Sequence, residues 1–153
     1  MKNFTLQLLC LLILALPASV QAQVPKLNSF PAATATIYID FDGEVVNAAY
    51  WNSGNTLTCQ PAQLSPEQMT EIFNRVSEDY RPFNINITTD LEKFIAAPIG
   101  KRMRIIVTPT SSWTTGVGGI SYTGSFTWMD DTPGFVFSDR LVSAKFIAEC
   151  VSH

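Results

Sequence analysis

The sequence predicts one α/β (α+β) domain, with a mixed twisted sheet that includes an edge strand and with two main helices. Three observations support this fold class. Short apolar or alternating segments predict strands, a segment with a capping box predicts a long helix, and the residues after the last strand have helical spacing. With 153 residues, 46% of them hydrophobic, the chain is long enough to form one ordinary hydrophobic core.

Four segments predict the strands of the sheet. TIYIDF at 36–41 and NINITTD at 84–90 alternate between apolar and polar residues. RMRIIVT at 102–108 is apolar enough in its second half to be central, and FVF at 135–137 predicts a short buried strand. Residues 47–64 contain Gly and Pro as turn signals and predict a loop.

The first main helix is predicted to begin after Ser65. This serine is a good N-cap, Pro66 suits the first helical position, and Gln68 completes a capping box. Four apolar residues recur at helical spacing and form one face: Met69, Ile72, Phe73 and Val76. Because this helix lies between the first two strands in the chain, we expect those strands to be parallel.

The second main helix is predicted to run from about Arg140 through the last residues of the sequence. Ser138 or Asp139 is the expected cap of its first turn. One face is lined by Ala144, Ile147, Ala148 and Val151. The two alanines on that face would let the helix lie close to the sheet.

The segment SSWTTGVGGISYTGSFTW at 111–128 is rich in glycine, hydroxyl and aromatic residues. It predicts a glycine-kinked strand or an edge hairpin. We expect Trp51, Trp113 and Trp128 to line the core or the wall of a cleft rather than to form a sugar-binding platform.

The charge pattern argues against two classes of ligand. The formal net charge is -3 and the densest basic run is KRMR at 101–104, so nucleic acid is not an expected partner. Asp40, Asp42 and Glu44 alternate around a glycine, but they lack the ligand count and spacing of a calcium loop. They predict a strand end followed by a solvated turn.

The first 22 residues have the pattern of a secretory signal peptide. Lys2 precedes the apolar run LQLLCLLILAL at 6–16, and small residues favour cleavage after Ala22. The apolar run is shorter than the roughly 20 residues of a membrane span. We therefore expect a secreted or periplasmic protein without a membrane span, which begins with a loose lead-in or pro-segment remnant at 23–35.

Two cysteines, Cys59 and Cys150, remain after removal of the signal peptide. In an oxidising compartment such a pair can form a disulfide, and two buried thiols are the alternative. The sequence leaves both alternatives open. It also predicts no oligomeric state.

The sequence KFIAECVSH at 145–153 carries the only histidine of the chain on a predicted helix. In the pattern H-E-x-x-H, two histidines four residues apart lie on one helical face and bind zinc, and the Glu acts as general base. His153 could be the first histidine of such a pattern. On its own, one histidine is a weak indication of a metal site.

Several further segments occur in a fixed order along the chain. They are IYIDFDGEVV at 37–46, EIFNRVSEDYRPFNINITTD at 71–90, RIIVTPTSSW at 104–113, VGGISYTGSFTW at 117–128, and FVFSDRL at 135–141 with AKFIAECVSH at 144–153. Together they resemble secreted bacterial zinc metallopeptidases of a metzincin-like (reprolysin-like) type, over roughly 37–153. The resemblance implies that residues 36–153 are a partial zinc metallopeptidase catalytic domain.

In that family the stretch similar to AECVSH continues as H-E-x-G-H-x-x-G-L-x-H. The resemblance therefore implies that His153 is the first ligand of a catalytic Zn²⁺, and that the chain as given ends inside the active-site helix. The general-base Glu and two further histidines would follow it. The implied activity is hydrolysis of peptide bonds in a peptide or protein substrate, and this fragment alone should be inactive because catalytic zinc needs about three protein ligands.

The same resemblance assigns a role to the glycine-rich segment. It lies where these peptidases have the substrate-binding edge strand that precedes the active-site helix. The implied substrate-binding residues are Gly118, Gly119, Ile120, Ser121 and Tyr122, and a plain hairpin with packing glycines is the alternative. Two other functions stay open: a secreted binding or adhesion module on the same fold, and a non-functional truncated product.

Overall fold

The computed structural model describes residues 23–153. The predicted signal peptide, including Cys10, lies outside the described residues. None of the helices in this part of the chain combines the length and hydrophobicity that a membrane span requires.

Within residues 23–153 the main sheet has five strands and a separate hairpin has two. The strands are β1 (Ala35–Asp40), β2 (Glu44–Val46), β3 (Leu57–Cys59), β4 (Ile85–Thr88), β5 (Arg102–Thr108), β6 (Gly119–Ile120) and β7 (Gly134–Phe137). The α-helices are α1 (Pro66–Asp79), α2 (Leu91–Ala96) and α3 (Ala144–Ser152). The structure is therefore of the predicted mixed α/β class, with a mostly parallel sheet and, in the described residues, a third α-helix that was not predicted.

The strand order of the main sheet is β4-β1-β5-β7-β6. Strands β4, β1, β5 and β7 are parallel, and β6 pairs antiparallel with β7 at the end of the sheet. Helix α1 connects β1 to β4, so the predicted parallel arrangement of the first two main strands is confirmed. A helical crossover of this kind is the usual way to bring two parallel strands side by side.

Helix α1 begins as its sequence predicts. The Ser65 side chain accepts a hydrogen bond from the Gln68 N–H at 3.3 Å, and the Gln68 side chain accepts one from the Ser65 N–H at 2.9 Å. The predicted apolar face is buried against the sheet: Met69, Ile72, Phe73 and Val76. These contacts hold α1 beside α3 on one face of the sheet.

Helix α3 begins later than predicted. Ser143 caps it, with its hydroxyl accepting the Phe146 N–H at 3.3 Å, so Ser138 and Asp139 are not its caps. The chain forms a turn at 138–140 and has no regular structure at 141–142, and the side chains of Asp139 and Arg140 bind a neighbouring loop. The predicted apolar face of α3 is confirmed: Ala144, Ile147, Ala148 and Val151 are buried.

The two faces of the sheet have separate cores because side chains alternate along each strand. On β5, Ile105 and Val107 face α1 and α3, whereas Ile106 faces the β2–β3 hairpin. The hairpin side also contains Trp51, Phe135 and Phe137, among others. Residues 47–64 were predicted to be a loop, but Leu57–Cys59 form strand β3. Three residues are too few to show a clear alternating pattern.

Helix α2 was not predicted from the sequence. Asp90 caps it, and only Phe94 among its six residues is buried. One buried residue leaves no helical periodicity to detect.

The lead-in at 23–35 is not loose. Its backbone pairs with the outer side of β4 through an isolated bridge between Asn28 and Thr88. Hydrogen bonds join the Ser29 N–H to the Ile87 carbonyl at 3.0 Å and the Thr89 N–H to the Leu27 carbonyl at 3.1 Å. Its last residue, Ala35, is the first residue of β1.

Candidate functional site

The expected substrate edge is at the end of the sheet, as predicted, but it is not a hairpin. Only Gly119 and Ile120 form strand β6, and the residues that follow turn into a short 3₁₀ helix at Ser125–Thr127. The antiparallel partner of β6 is β7, with Gly119 opposite Val136 and Ile120 opposite Phe135. Within the described residues β6 pairs with β7 alone, so its other side is a free strand edge.

The edge strand lies directly against helix α3. A Cβ atom on Gly119 would lie 2.5 Å from the Cys150 sulfur and 2.7 Å from the Phe135 carbonyl oxygen. Real Cβ atoms essentially never come that close to a neighbour, so only glycine fits here. Cys150 precedes His153 by three residues, which is about 4.5 Å along a helix axis.

The residues on either side of Gly119 are also fixed by contacts. The Gly118 carbonyl accepts the Phe137 N–H at 2.7 Å, and a Cβ on Gly118 would lie 2.9 Å from a Leu141 methyl carbon. The Ile120 side chain packs against the hairpin-side core.

Two further residues of the expected substrate edge extend beyond β6. Ser121 is exposed. The Tyr122 hydroxyl donates to the Tyr50 carbonyl at 2.9 Å, and its ring lies 4.5 Å from the Trp51 ring, measured between centroids. Of the five expected substrate-binding residues, Gly119 and Ile120 form the edge strand, Gly118 lies just before it, and Ser121 and Tyr122 lie just after it.

His153 lies at the end of α3 and is exposed. Its N–H donates to the Glu149 carbonyl at 3.1 Å, which continues the helical hydrogen bonding. The end of α1 holds this end of α3. The Tyr80 hydroxyl donates to the Ser152 carbonyl at 3.2 Å, and the Ser152 hydroxyl donates to the Asp79 carboxylate at 2.7 Å.

The described residues do not by themselves form a catalytic zinc site. No three His, Cys, Asp or Glu side chains among residues 23–153 are grouped as metal ligands. On α3, Glu149 pairs with Lys145 at 3.6 Å, and Cys150 faces Gly119. His153 is one candidate ligand, and about three protein ligands are needed for catalytic zinc.

An arginine that the sequence did not single out holds the loop before the edge strand. The Arg140 guanidinium donates at 2.8 Å to each of three loop carbonyls, those of Ser111, Thr114 and Val117. It also lies over the Phe137 ring, 5.2 Å from the centroid. A planar guanidinium can donate in several directions at once, so one side chain orders the whole loop.

Asp139 supports the same loop from the same turn. Its carboxylate accepts a hydrogen bond from the Ser111 hydroxyl at 2.5 Å. No local pattern marks Asp139 and Arg140 as loop-binding residues, because their partners lie 23 to 29 residues away in the chain.

A group of aromatic side chains supports the other side of the edge segment. Trp51 is buried, contacts the rings of Trp113, Tyr122 and Phe135, and donates its indole N–H to the Pro133 carbonyl at 3.0 Å. Trp51 and Trp113 therefore lie in or against the core, as predicted. Trp128 instead stacks on Tyr122 with ring centroids 5.5 Å apart, at the more exposed side of the group.

The acidic residues at the end of β1 form an ion-pair network. Asp40 is buried and Arg104 bridges it to Glu44, with 3.7 Å between the Arg104 and Asp40 atoms. Burial, followed by the hydrogen bond and charge of Asp42, raises the pKa of Asp40 to about 7, although Arg104 opposes this shift. Asp40 is the last residue of β1 and Asp42 lies in an exposed bend, as predicted, whereas Glu44 already belongs to β2.

Cys59 and Cys150 are free thiols. Cys59 belongs to the hairpin-side core, and Cys150 packs against the helix-side core, so the sheet lies between them. Of the two alternatives that the sequence left open, the structure therefore has two separate thiols and no disulfide between these cysteines. Burial raises the pKa of both thiols, that of Cys59 to about 11.

No family model matches the chain, and no curated protein and no solved structure matches it.

Proposed function

We propose that this chain is the N-terminal part of a secreted zinc-dependent endopeptidase of the metzincin-like type that its sequence resembles. The observation that carries this proposal is the contact between a free strand edge and the helix that ends in His153. Gly119 of β6 touches Cys150 of α3, one helical turn before His153. A free strand edge therefore contacts the helix that carries the candidate metal ligand.

The edge strand would bind the substrate as an added strand. An extended peptide can pair its backbone with the free N–H and C=O groups of an edge strand, which holds it without regard to most of its side chains. Arg140 holds the loop before this edge strand, and the aromatic group packs against Tyr122, which follows it. A peptide held here would pass close to the end of α3.

His153 would be the first zinc ligand. Zinc, when bound, would polarise the scissile carbonyl and lower the pKa of a bound water. In the proposed arrangement the other two ligands and the general-base Glu come from the sequence that follows His153, in the pattern H-E-x-G-H-x-x-G-L-x-H. Residues 23–153 alone would bind substrate weakly and would not hydrolyse it.

The first experiment is to read the coding sequence in frame beyond the His153 codon. We expect a Glu codon immediately afterwards and a His codon four positions after His153. The continued protein, from Gln23 onward, should contain one zinc per chain by elemental analysis and cleave an unstructured protein substrate. A stop codon, or a continuation without Glu and His at those positions, would count against the proposal.

Variants of the continued protein test the role of His153. His153→Ala should lose most of the bound zinc and the cleavage activity together. Lys145→Ala is the matched control, because Lys145 is an exposed residue of the same helix, about two turns away. It should retain both zinc and activity, and equal zinc contents in the two variants would exclude His153 as a ligand.

A secreted binding module is the second candidate, and one observation favours it. The aromatic group is partly open to solvent, with Tyr50 55% exposed and Tyr122 37% exposed. Such amphipathic aromatic residues are common in contact surfaces. A continued protein that binds no zinc but binds peptides through this surface would support the module and contradict the peptidase.

A further inference from the structure

Strand β4 at the opposite end of the sheet has buried polar side chains, which is unusual for a strand with a single partner. Asn86 is 2% exposed, Thr88 is 0% exposed and Thr89, just after the strand, is 4% exposed. Polar groups without partners are costly to bury, so each of these side chains should have one. Their partners are the backbone and side chains of residues 25–30.

Thr89 binds the segment at two backbone positions. Its hydroxyl accepts the Leu27 N–H at 2.8 Å and donates to the Pro25 carbonyl. Its own N–H donates to the Leu27 carbonyl at 3.1 Å. The Thr89 hydroxyl and backbone N–H therefore bind both backbone groups of Leu27.

Asn86 holds the other end of the segment in the same manner. Its amide oxygen accepts the Phe30 N–H at 2.9 Å, and its amide nitrogen donates to the Asn28 side chain at 3.2 Å. Between the two ends, the Ile87 N–H donates to the Ser29 hydroxyl at 2.9 Å. The contacts thus alternate along an extended chain, as in a peptide bound to a strand edge.

Apolar and charged contacts add to these hydrogen bonds. Val24 and Leu27 pack against the helix-side core. Lys26 reaches the carboxylates of Asp90 and Glu92, at 3.3 and 3.6 Å. The segment therefore has the backbone, apolar and charged contacts of a specific ligand, and it is joined to β1 by an exposed turn at 31–34.

We propose that the outer edge of β4 is a binding site for an extended peptide and that residues 24–30 are its ligand, bound within the same chain. The chemistry of the site selects an apolar residue, a cation and an Asn in the spacing of Val24, Lys26 and Asn28. The segment, here called the strap, closes this edge of the sheet and leaves β6 as the edge free to pair. It is a permanent part of the folded domain and not a pro-segment to be discarded.

The test is to cut the connection after folding. The chain from Gln23 is produced with a recognition sequence for a site-specific protease inserted between Ala33 and Thr34, in the exposed turn, and is cut once folded. The expected result is that the strap peptide stays bound through size-exclusion chromatography and separates only in urea. After separation and refolding, a synthetic peptide of residues 23–33 should rebind, and a scrambled peptide of the same composition should not.

One variant and its control identify the site. Thr89→Val removes the hydroxyl with little change of shape and should weaken peptide binding about tenfold, because two hydrogen bonds to the strap are lost. Thr70→Val is the matched control, since the Thr70 hydroxyl donates at 2.7 Å to the Pro66 carbonyl within α1. It should leave peptide binding unchanged.

Release of the peptide on cutting overturns the proposal, whether the remainder stays monomeric, forms a dimer or precipitates. Equal affinities for the native and scrambled peptides, or for the Thr89→Val and unsubstituted proteins, also overturn it. Because none of these measurements uses zinc or catalysis, their outcome is independent of the proposed peptidase activity.

Discussion

The two ends of the main sheet differ in whether the outer side of the last strand is covered. At the β4 end, buried polar side chains bind the strap, and the free backbone groups are covered. At the β6 end, the strand is two residues long and its outer side is uncovered within the described residues. An exposed edge invites pairing with another chain, so the comparison indicates where this protein excludes such pairing and where it permits it.

The difference lies in which atoms do the binding. At the β4 edge, the Asn86 amide and the Thr89 hydroxyl bind backbone groups of the strap. The specificity of this edge therefore depends on these two side chains. At the β6 end, Arg140 donates to carbonyls of the loop before the strand, and Trp51 contacts the ring of Tyr122, which follows the strand. The outer side of β4 is thus occupied by a segment of the same chain, and the outer side of β6 is open within the described residues.

The largest expected effect follows from adding a side chain to the β6 edge. Gly119→Val would place carbon atoms inside the contact with the Cys150 sulfur and the Phe135 carbonyl, so β6 must move away from β7 or from α3. We expect a loss of about 3 kcal/mol in the free energy of unfolding, measured by urea denaturation.

Two further variants make this result specific. In Gly119→Val with Cys150→Ala, the sulfur contact is removed but the carbonyl contact remains, so recovery should be partial. Gly116→Ala is the control, because a Cβ there has no neighbour within 4 Å and only the positive φ of 71° is unfavourable. An unchanged stability of Gly119→Val would show that the edge does not rest on α3.

The next effect concerns the strap. Asn86→Ala removes two hydrogen bonds to residues 28 and 30 and should lower the free energy of unfolding by about 2 kcal/mol. Amide exchange at Leu27 and Ser29 should accelerate, because the strap detaches more often. Asn74→Ala, on the exposed side of α1, is the matched control and should change neither quantity. If amide exchange in the strap is the same in both variants, the strap does not depend on Asn86.

A smaller and more local effect is expected at Arg140. Arg140→Ala should lower the free energy of unfolding by about 1 kcal/mol. The loss is small because the loop carbonyls that Arg140 binds can accept hydrogen bonds from water instead. Amide exchange at 112–120 should accelerate about tenfold while that of the strap stays constant. Arg140→Lys should not restore protection, since one ammonium group lacks the planar fork that reaches three carbonyls.

The control for this variant is Arg75→Ala, whose side chain pairs with Glu71 on the surface of α1. It should leave both edges unchanged. Restoration of loop protection by Arg140→Lys would contradict the role assigned to the guanidinium geometry.

No difference between the two edges is expected from titration of Asp40, which lies in neither of them. Its pKa in the folded protein is about 7, above the ordinary value of 3.8, chiefly because it is buried. The folded state therefore binds more protons between these values, and this residue's contribution to stability decreases as the pH rises from about 4 through 7. Asp40→Asn should make the free energy of unfolding, measured by urea denaturation, decrease less with rising pH. The change should be the same in the Gly119→Val and Asn86→Ala backgrounds.

Local signals predicted the larger elements well. The capping box and four-residue apolar face of α1, and the apolar halves of β1 and β5, are properties of neighbouring residues and need no tertiary information. Helix α2 and the β2–β3 hairpin have six and three residues per element, so too few positions are buried to show a period. The start of α3 was misplaced because Asp139 and Arg140, which could begin a helix, bind a distant loop instead.

The sequence by itself determined the fold class, the position of the glycine-rich edge and the helix that carries His153. These follow from short-range periodicity, turn residues and capping, which act between residues a few positions apart. Only the tertiary structure decided that the lead-in is a strap, that Gly119 rests on Cys150, and that Arg140 holds the edge loop. Each of these contacts joins residues 20 or more positions apart, and their energies exist only once the sheet has brought those residues together.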